Sequence, residues 1–125
     1  MTDFSSAMSV ATSGMRAQAA RLRHVSENIA NTDTPGYRRK QISFEDAMNG
    51  QVIAGQMKLD QTALPRIYDP ANPLADASGH YEGSNVNLLI EITDAREAQR
   101  SYEANLKIFD QVRKMSTALM DLLRK

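Results

Sequence analysis

Residues 28–41 read NIANTDTPGYRRKQ, and this stretch decides how the chain is organised. A long helical pattern runs into it and stops. Pro35 fixes its own φ and offers no backbone donor, and Gly36 can take the positive φ that a type II turn needs after proline. Asn31 suits the end of the preceding helix, since Asn tolerates the left-handed conformation of a cap. Thr34 can bond locally to the backbone. Tyr37 combines an apolar ring with a polar tip, which fits an anchor at a subunit boundary. A basic run, Arg38 to Lys40, follows at once. Pro35 disfavours helix in the residue before it, so the helix is expected to end near Asn31.

Upstream of the turn, apolar residues fall at Phe4, Met8, Ala11, Met15, Leu22, Val25 and Ile29, with the polar Gln18 holding one place in the series. The alternation of four- and three-residue steps is a heptad stripe. Gln18 can fix the register of such a seam or reach solvent. Ala7, Ala11, Ala17 and Ala19 narrow the surface, so a partner helix can approach closely. Gly14 weakens the helix by about 1 kcal/mol against Ala and marks a possible tight crossing.

The C-terminal segment reads as a second long helix. Asn87 is placed to cap it, and Glu91 and Asp94 lie in the early turns where negative charge suits the helix dipole. Its stripe runs Leu88, Ile92, Ala95, Gln99, Tyr102, Leu106, Phe109. It then slips by one residue to Ile108, Val112, Met115, Leu119 and Leu122. Drift between the 3.5 and 3.6 periods accounts for the slip.

The middle differs in kind. It holds Pro65, Pro70 and Pro73, and YDPANPLADASGHYEGSN at 68–85 is turn chemistry throughout. YRRKQISF and RIYD read as short strands, and FEDAM as one helical turn. The expected fold is mainly α: two long terminal helices packing as a coiled coil, joined by a small irregular middle with short β-strands. The expected segments are 1–36, the N-terminal helix and turn; 37–86, the middle; and 87–125, the C-terminal helix. Two such helices leave apolar faces open, so other copies or other chains are expected to cover them.

Composition excludes several classes. Lys plus Arg and Asp plus Glu are 15 each, which removes the field of a general nucleic-acid binder. There is no cysteine, hence no disulfide framework or thiolate metal site. No apolar run approaches the ~20 residues of a membrane span. Asp3 stands where a secretory signal would carry positive charge, so export, if it occurs, is expected by another route. His24 and His80 each have one nearby carboxylate, Glu27 and Glu82, but no third ligand, and read as structural or surface histidines. Glu91, Asp94 and Glu97 share part of a helical face. With Arg96 and Arg100 nearby, they read as a solvated face rather than an acid/base pair. No nucleophile, base and orienter set is present, and no cofactor is expected.

The turn also carries a resemblance. Ala30, Asn31, Thr34, Gly36 and Tyr37 match the Ala-Asn, two residues, Thr, one residue, Gly-Tyr signature of bacterial flagellar rod, hook and hook-associated proteins. Residues 66–115 resemble the C-terminal half of proximal-rod members of that family: Tyr-Asp-Pro, Asn-Pro, Ala-Asp, Ser-Asn-Val-Asn and Arg-Ser-Tyr-Glu-Ala-Asn come in the same order. The resemblance implies a structural subunit of the basal-body rod, the drive shaft spanning the periplasm. Its terminal helices would form the inner layer of a helical tube. It implies assembly with copies of itself, other rod proteins and the rod-to-ring adaptor. It also implies delivery by the flagellar type III export apparatus without signal cleavage. Phe4 and Met8 match the Phe, three residues, hydrophobic pattern of early export substrates. Met8, Met15, Leu22, Val25, Ile29, Ile92, Tyr102, Leu106, Phe109, Val112, Met115, Leu119 and Leu122 are then the expected helix-stripe subunit contacts. A soluble coiled-coil binding module or secretion chaperone is the alternative that shares the stripes but has no use for the turn.

Overall fold

The computed structural model describes residues 2–124. Two helices dominate: α1, Thr2–Ala30, and α2, Leu88–Leu123. Asn87 caps α2 as expected, its side chain accepting from the Leu89 amide at 3.0 Å. The helices run antiparallel. Asn28 meets Glu91, Arg21 meets Asp94, and Gly14 lies against Asn105, so the partner number on α2 rises as that on α1 falls. Carried on, this register leaves the last turns of α2 beyond the start of α1.

Between the helices the chain makes six short strands, all paired antiparallel. β1 (Lys40–Gln41) pairs with β4 (Lys58–Leu59), and β2 (Phe44–Asp46) with β3 (Val52–Ala54). Together they form one ribbon from Arg39 to Asp60. Lys40 faces Leu59 and Gln41 faces Lys58, but Phe44 faces Ala54, so the return strand carries one extra residue at Gly55–Met57. That is a β-bulge, and it bends the ribbon. A Cβ on Gly55 would sit 2.8 Å from the Ser43 hydroxyl, which explains glycine there. Asn49 (φ 66°) and Gly50 (φ 75°) close the ribbon through Met48–Gly50 with two left-handed residues in a row, the conformation favoured by Asn-Gly in a hairpin. The helical turn expected at FEDAM is therefore not there; Phe44–Asp46 is strand, because its hairpin partner outweighs local helical pattern. β5 (Arg66–Tyr68) and β6 (His80–Glu82) form a second hairpin around the proline-rich loop.

The ribbon lies along α1. Val52 donates its amide to the Ser13 hydroxyl at 3.0 Å, and Gly50 sits beside Val10. α1 is thus covered on two sides, by α2 and by the ribbon. This is why its buried apolar positions are small: Ala11, Ala17 and Val25, joined by Ala98 on α2. A Cβ on Gly14 would come within 2.7 Å of the Asn105 amide nitrogen, so the close crossing expected at Gly14 is present.

Candidate functional site

The turn is held from both sides. The Tyr37 amide donates to the Thr34 carbonyl at 3.2 Å across Pro35 and Gly36, and Gly36 has φ 75°, as a type II turn requires. The Gly36 amide reaches the Glu82 and Gly83 carbonyls, so the turn docks on the end of β6. Asn31 ends α1 differently from expectation. Its backbone is not left-handed; its side-chain amide donates to the Glu27 carbonyl at 2.8 Å, and Thr34 donates its hydroxyl to the Asn31 side-chain oxygen. The Glu27 carbonyl also accepts from the Asn31 backbone amide at 3.1 Å, so Asn31 closes the last turn with both its amides. Ala30 and Pro35 are exposed.

Behind the turn lies a buried polar junction. Asn28 is 1% exposed and Glu91 is fully buried. The Asn28 oxygen accepts from the Tyr37 hydroxyl and the Lys40 amide, each at 2.8 Å. Its nitrogen donates to the Lys40 carbonyl at 3.0 Å and to Glu91 Oε2 at 3.2 Å. One side chain thus makes four bonds, its full capacity on the nitrogen and oxygen. Glu91 Oε1 accepts from Arg39 Nε at 2.7 Å, and Arg39 also lies 3.6 Å from Asp60 and Asp94. Asn85 receives the Arg39 amide at 2.7 Å, and Ser84 donates its hydroxyl to the Thr32 carbonyl. α1, the turn, the ribbon root and the start of α2 therefore meet in one network.

The charges follow. Burial pulls the Arg39 guanidinium down, but the Glu91 hydrogen bond and the Glu91, Asp60 and Asp94 charges more than offset this and raise it. Burial pushes the Tyr37 phenol up, so it remains a neutral donor to Asn28. Lys40 bonds Glu27, and the pair hold each other charged, the lysine raised and the carboxyl lowered. The Thr62 hydroxyl holds Asp60 below its ordinary value.

One expectation is corrected. Glu91 is not on a solvated face, and its partners are not Arg96 and Arg100. It pairs with Arg39, while Asp94 and Glu97 receive Arg21 at 3.2 and 3.4 Å. The basic run Arg38 to Lys40 is bonded within the chain: Arg38 donates to the Asp60 and Thr62 carbonyls, and the other two are ion-paired.

The expected stripe straddles the seam rather than forming it. Val25 is buried; Phe4, Met8, Met15 and Leu22 are half-buried and Ile29 is exposed. On α2, Tyr102, Phe109 and Val112 are half-buried, while Ile92, Leu106, Met115, Leu119 and Leu122 are exposed. The contact column on α1 lies one residue earlier than the stripe, through Gly14, Arg21 and Asn28, because small residues and the polar junction set the register. The Gln18 side-chain oxygen lies buried without a hydrogen-bond partner among the described residues, as does His24 Nδ1.

In the β5–β6 loop, Ser78 donates to Asp76 at 2.6 Å and meets His80 Nδ1 at 3.0 Å, while Arg66 pairs with Asp76. The carboxylate thus binds the serine hydroxyl and the His80 backbone amide but not the imidazole, so no oriented base is made; the group braces a loop. No helix among the described residues is long and apolar enough to cross a membrane.

Comparison with known proteins gives this arrangement its context. Residues 8–38, α1 with the turn, match the family described as flagella basal body rod protein. Residues 77–122 match the flagellar basal body rod FlgEFG protein C-terminal family. The flagellar basal-body rod protein FlgC of Agrobacterium fabrum is 43% identical, covering 99% of this chain and 98% of its own length. That of Salmonella typhimurium is 34% identical over 90% of this chain and 92% of its own, and that of Borreliella burgdorferi 31% over 95% and 97%. The two matched families cover the two structural halves that meet at the Asn28–Tyr37–Glu91 junction, and the relatives span nearly the whole length: the chain belongs to the FlgC family of flagellar basal-body rod proteins.

Proposed function

We propose that this chain is a structural subunit of the proximal part of the flagellar rod, built into the shaft that carries torque from the membrane ring to the hook. The observation that carries this reading is the pairing of two matched rod segments into one antiparallel helix pair, with the chain turned outward at a single bonded exit after α1. A subunit in a tube needs its outer segment to leave the inner helices at a fixed place, and the Asn28–Tyr37 and Gly36–Glu82 bonds supply that. The exposed stripe residues of α2, Leu106 and Met115 among them, are the contacts offered to neighbouring rod proteins and to further copies. The rod-to-ring adaptor belongs among these partners. Phe4 and Met8 are the export signal read by the type III apparatus. A secretion chaperone would need the helices but not the bonded turn.

The test is incorporation. The tagged chain should co-purify with basal bodies after removal of the outer membrane. Leu106→Asp should still be secreted but should be missing from them. A charge in an apolar contact costs several kcal/mol, on the order of burying an uncompensated polar group. Normal motility and basal-body content with Leu106→Asp would remove that residue from the interface.

A further inference from the structure

The ribbon has an outward face that its own chain leaves uncovered. Successive strand residues point to opposite faces. Val52 lies half-buried beside α1, so Ile53 and its cross-strand partner Glu45 face away from it. Ile53 is 48% exposed, and Met48 at the ribbon tip is 85% exposed. Glu45 has no ion-pair partner among the described residues, while Asp46, opposite Val52, lies on the α1 side of the ribbon. The patch is therefore apolar at its centre and acidic at its edge.

The distal half of α2 has the complementary character. Ile108, Met115, Leu119 and Leu122 form a stripe, each of them exposed, in the part of α2 that nears and passes the start of α1. Lys107 and Lys114 flank it, one residue before Ile108 and Met115 and seven residues apart, hence on one side of the stripe. Neither lysine has a carboxylate partner among the described residues. An apolar centre with an acidic edge thus exists on one element, and an apolar stripe with a basic edge on another. Within one chain the ribbon tip lies on α1, with its outward face turned away.

We infer that the outward face of the ribbon of one copy seats on the distal α2 stripe of a second copy, with Glu45 meeting the basic edge of Lys107 and Lys114. The inference rests on the rod-subunit reading and names the partner of that surface. Two different patches meet, so the contact is heterologous. It repeats from copy to copy, as a ring or a helical array needs, instead of closing a two-fold dimer.

The chain has no cysteine, so introduced ones are unique. Two differently tagged chains, one carrying Ile53→Cys and the other Met115→Cys, are co-expressed, and isolated basal bodies are mildly oxidised. Mixed-tag disulfide dimers should form several-fold above an Ala77→Cys with Met115→Cys control, with few same-tag dimers. Glu45→Lys should lower the yield about two- to fivefold. Adding Lys107→Glu with Lys114→Glu should restore it. If the chains are present in basal bodies but the mixed dimers stay at control level, or only same-tag dimers form, the inference fails and the rod-subunit reading stands. If the chain is absent from basal bodies, both fail.

Discussion

Replacing Arg39 by Met tests whether the buried junction holds the ribbon and turn to the helices. Methionine keeps most of the stem volume and removes the charge and the donor. Glu91 is fully buried, so solvent cannot replace the lost guanidinium. Oε1 loses Arg39 Nε at 2.7 Å, while Oε2 keeps only the neutral donor Asn28 at 3.2 Å. Taking one partner from a buried pair costs about 3–5 kcal/mol, because the remaining charge is uncompensated. The 3.6 Å contacts from Arg39 to Asp60 and Asp94 go as well, but both carboxylates are partly exposed and add little. The expected loss is therefore about 3–4 kcal/mol. Glu91→Gln should cost less, about 1.5–3 kcal/mol, the range for one charged hydrogen bond, since the amide still accepts from Arg39.

The pair of changes is the sharper test. Arg39→Met with Glu91→Leu removes both charges, and apolar replacement of a buried pair is often neutral or better. The double variant should lie within about 1 kcal/mol of the parent, far from the sum of the singles. Urea unfolding followed by far-UV circular dichroism at pH 7 reads this. With a slope of about 1–3 kcal/mol per molar, Arg39→Met should lower the midpoint by about 1–4 M. A loss under about 1 kcal/mol for Arg39→Met, or a double variant equal to the sum of its parts, would refute the reasoning.

Three further outcomes are expected. Gly14→Leu should destabilise by about 1–3 kcal/mol through overpacking against Asn105, whereas Gly14→Ala combined with Asn105→Ala should gain up to about 1 kcal/mol of helix propensity; urea midpoints check both. Gly36→Val meets no atom within 4 Å of its Cβ, so its cost is backbone strain alone, about 1–3 kcal/mol, and Tyr37→Ala removes the bond to Asn28; each should reduce assembled basal bodies more than secreted protein, measured side by side. The Asp76 carboxyl is held at about 2, first by the Ser78 hydroxyl, with Arg66 also contributing. A depressed carboxyl stabilises fully above its unfolded value near 3.8 and loses that contribution as pH falls toward 2, so the amides of Ser78 and His80 should shift in that window and not between pH 5 and 7 by NMR titration.

The two helices were legible because a 3.6-residue period repeated over many turns overwhelms local noise, and because Asn87 and Pro35 mark ends that geometry enforces. The register was not. Leu22 and Gly14 compete for the seam, and a stripe of large residues is the stronger pattern in one dimension. In three dimensions the small residues win, since they let the helices close and let Asn28 and Arg21 reach acidic partners on α2. Glu91 was misread for a related reason. A charged residue in a first helical turn has a local explanation in the dipole, and its actual partner lies 52 residues away, where no local pattern points. The ribbon did leave a signal that the sequence reading passed over: Asn49-Gly50 sits between FEDA and QVIA, the strongest short-range mark of a hairpin.

The same register explains why the signature turn contains more than turn chemistry. A type II turn needs Pro35 and Gly36, and nothing in it needs Tyr37. Tyr37 is explained by Asn28, which lies more than two helical turns earlier than a sequence reading of the turn would look. Asn28 cannot be apolar, because Lys40 presents both its amide and its carbonyl there; a carboxylate would meet Glu91 and the Lys40 carbonyl with no donor, and an ammonium could not accept from the Lys40 amide. An amide donates and accepts at once, and the Tyr37 hydroxyl completes it. The tyrosine thus acts first within its own chain, fixing the direction in which the ribbon leaves α1. That direction leaves α1 covered by small residues on two sides and keeps the large apolar residues of α2 on the outside. One helix is covered within the chain while the other leaves Leu106, Met115, Leu119 and Leu122 exposed, and the turn makes that division possible.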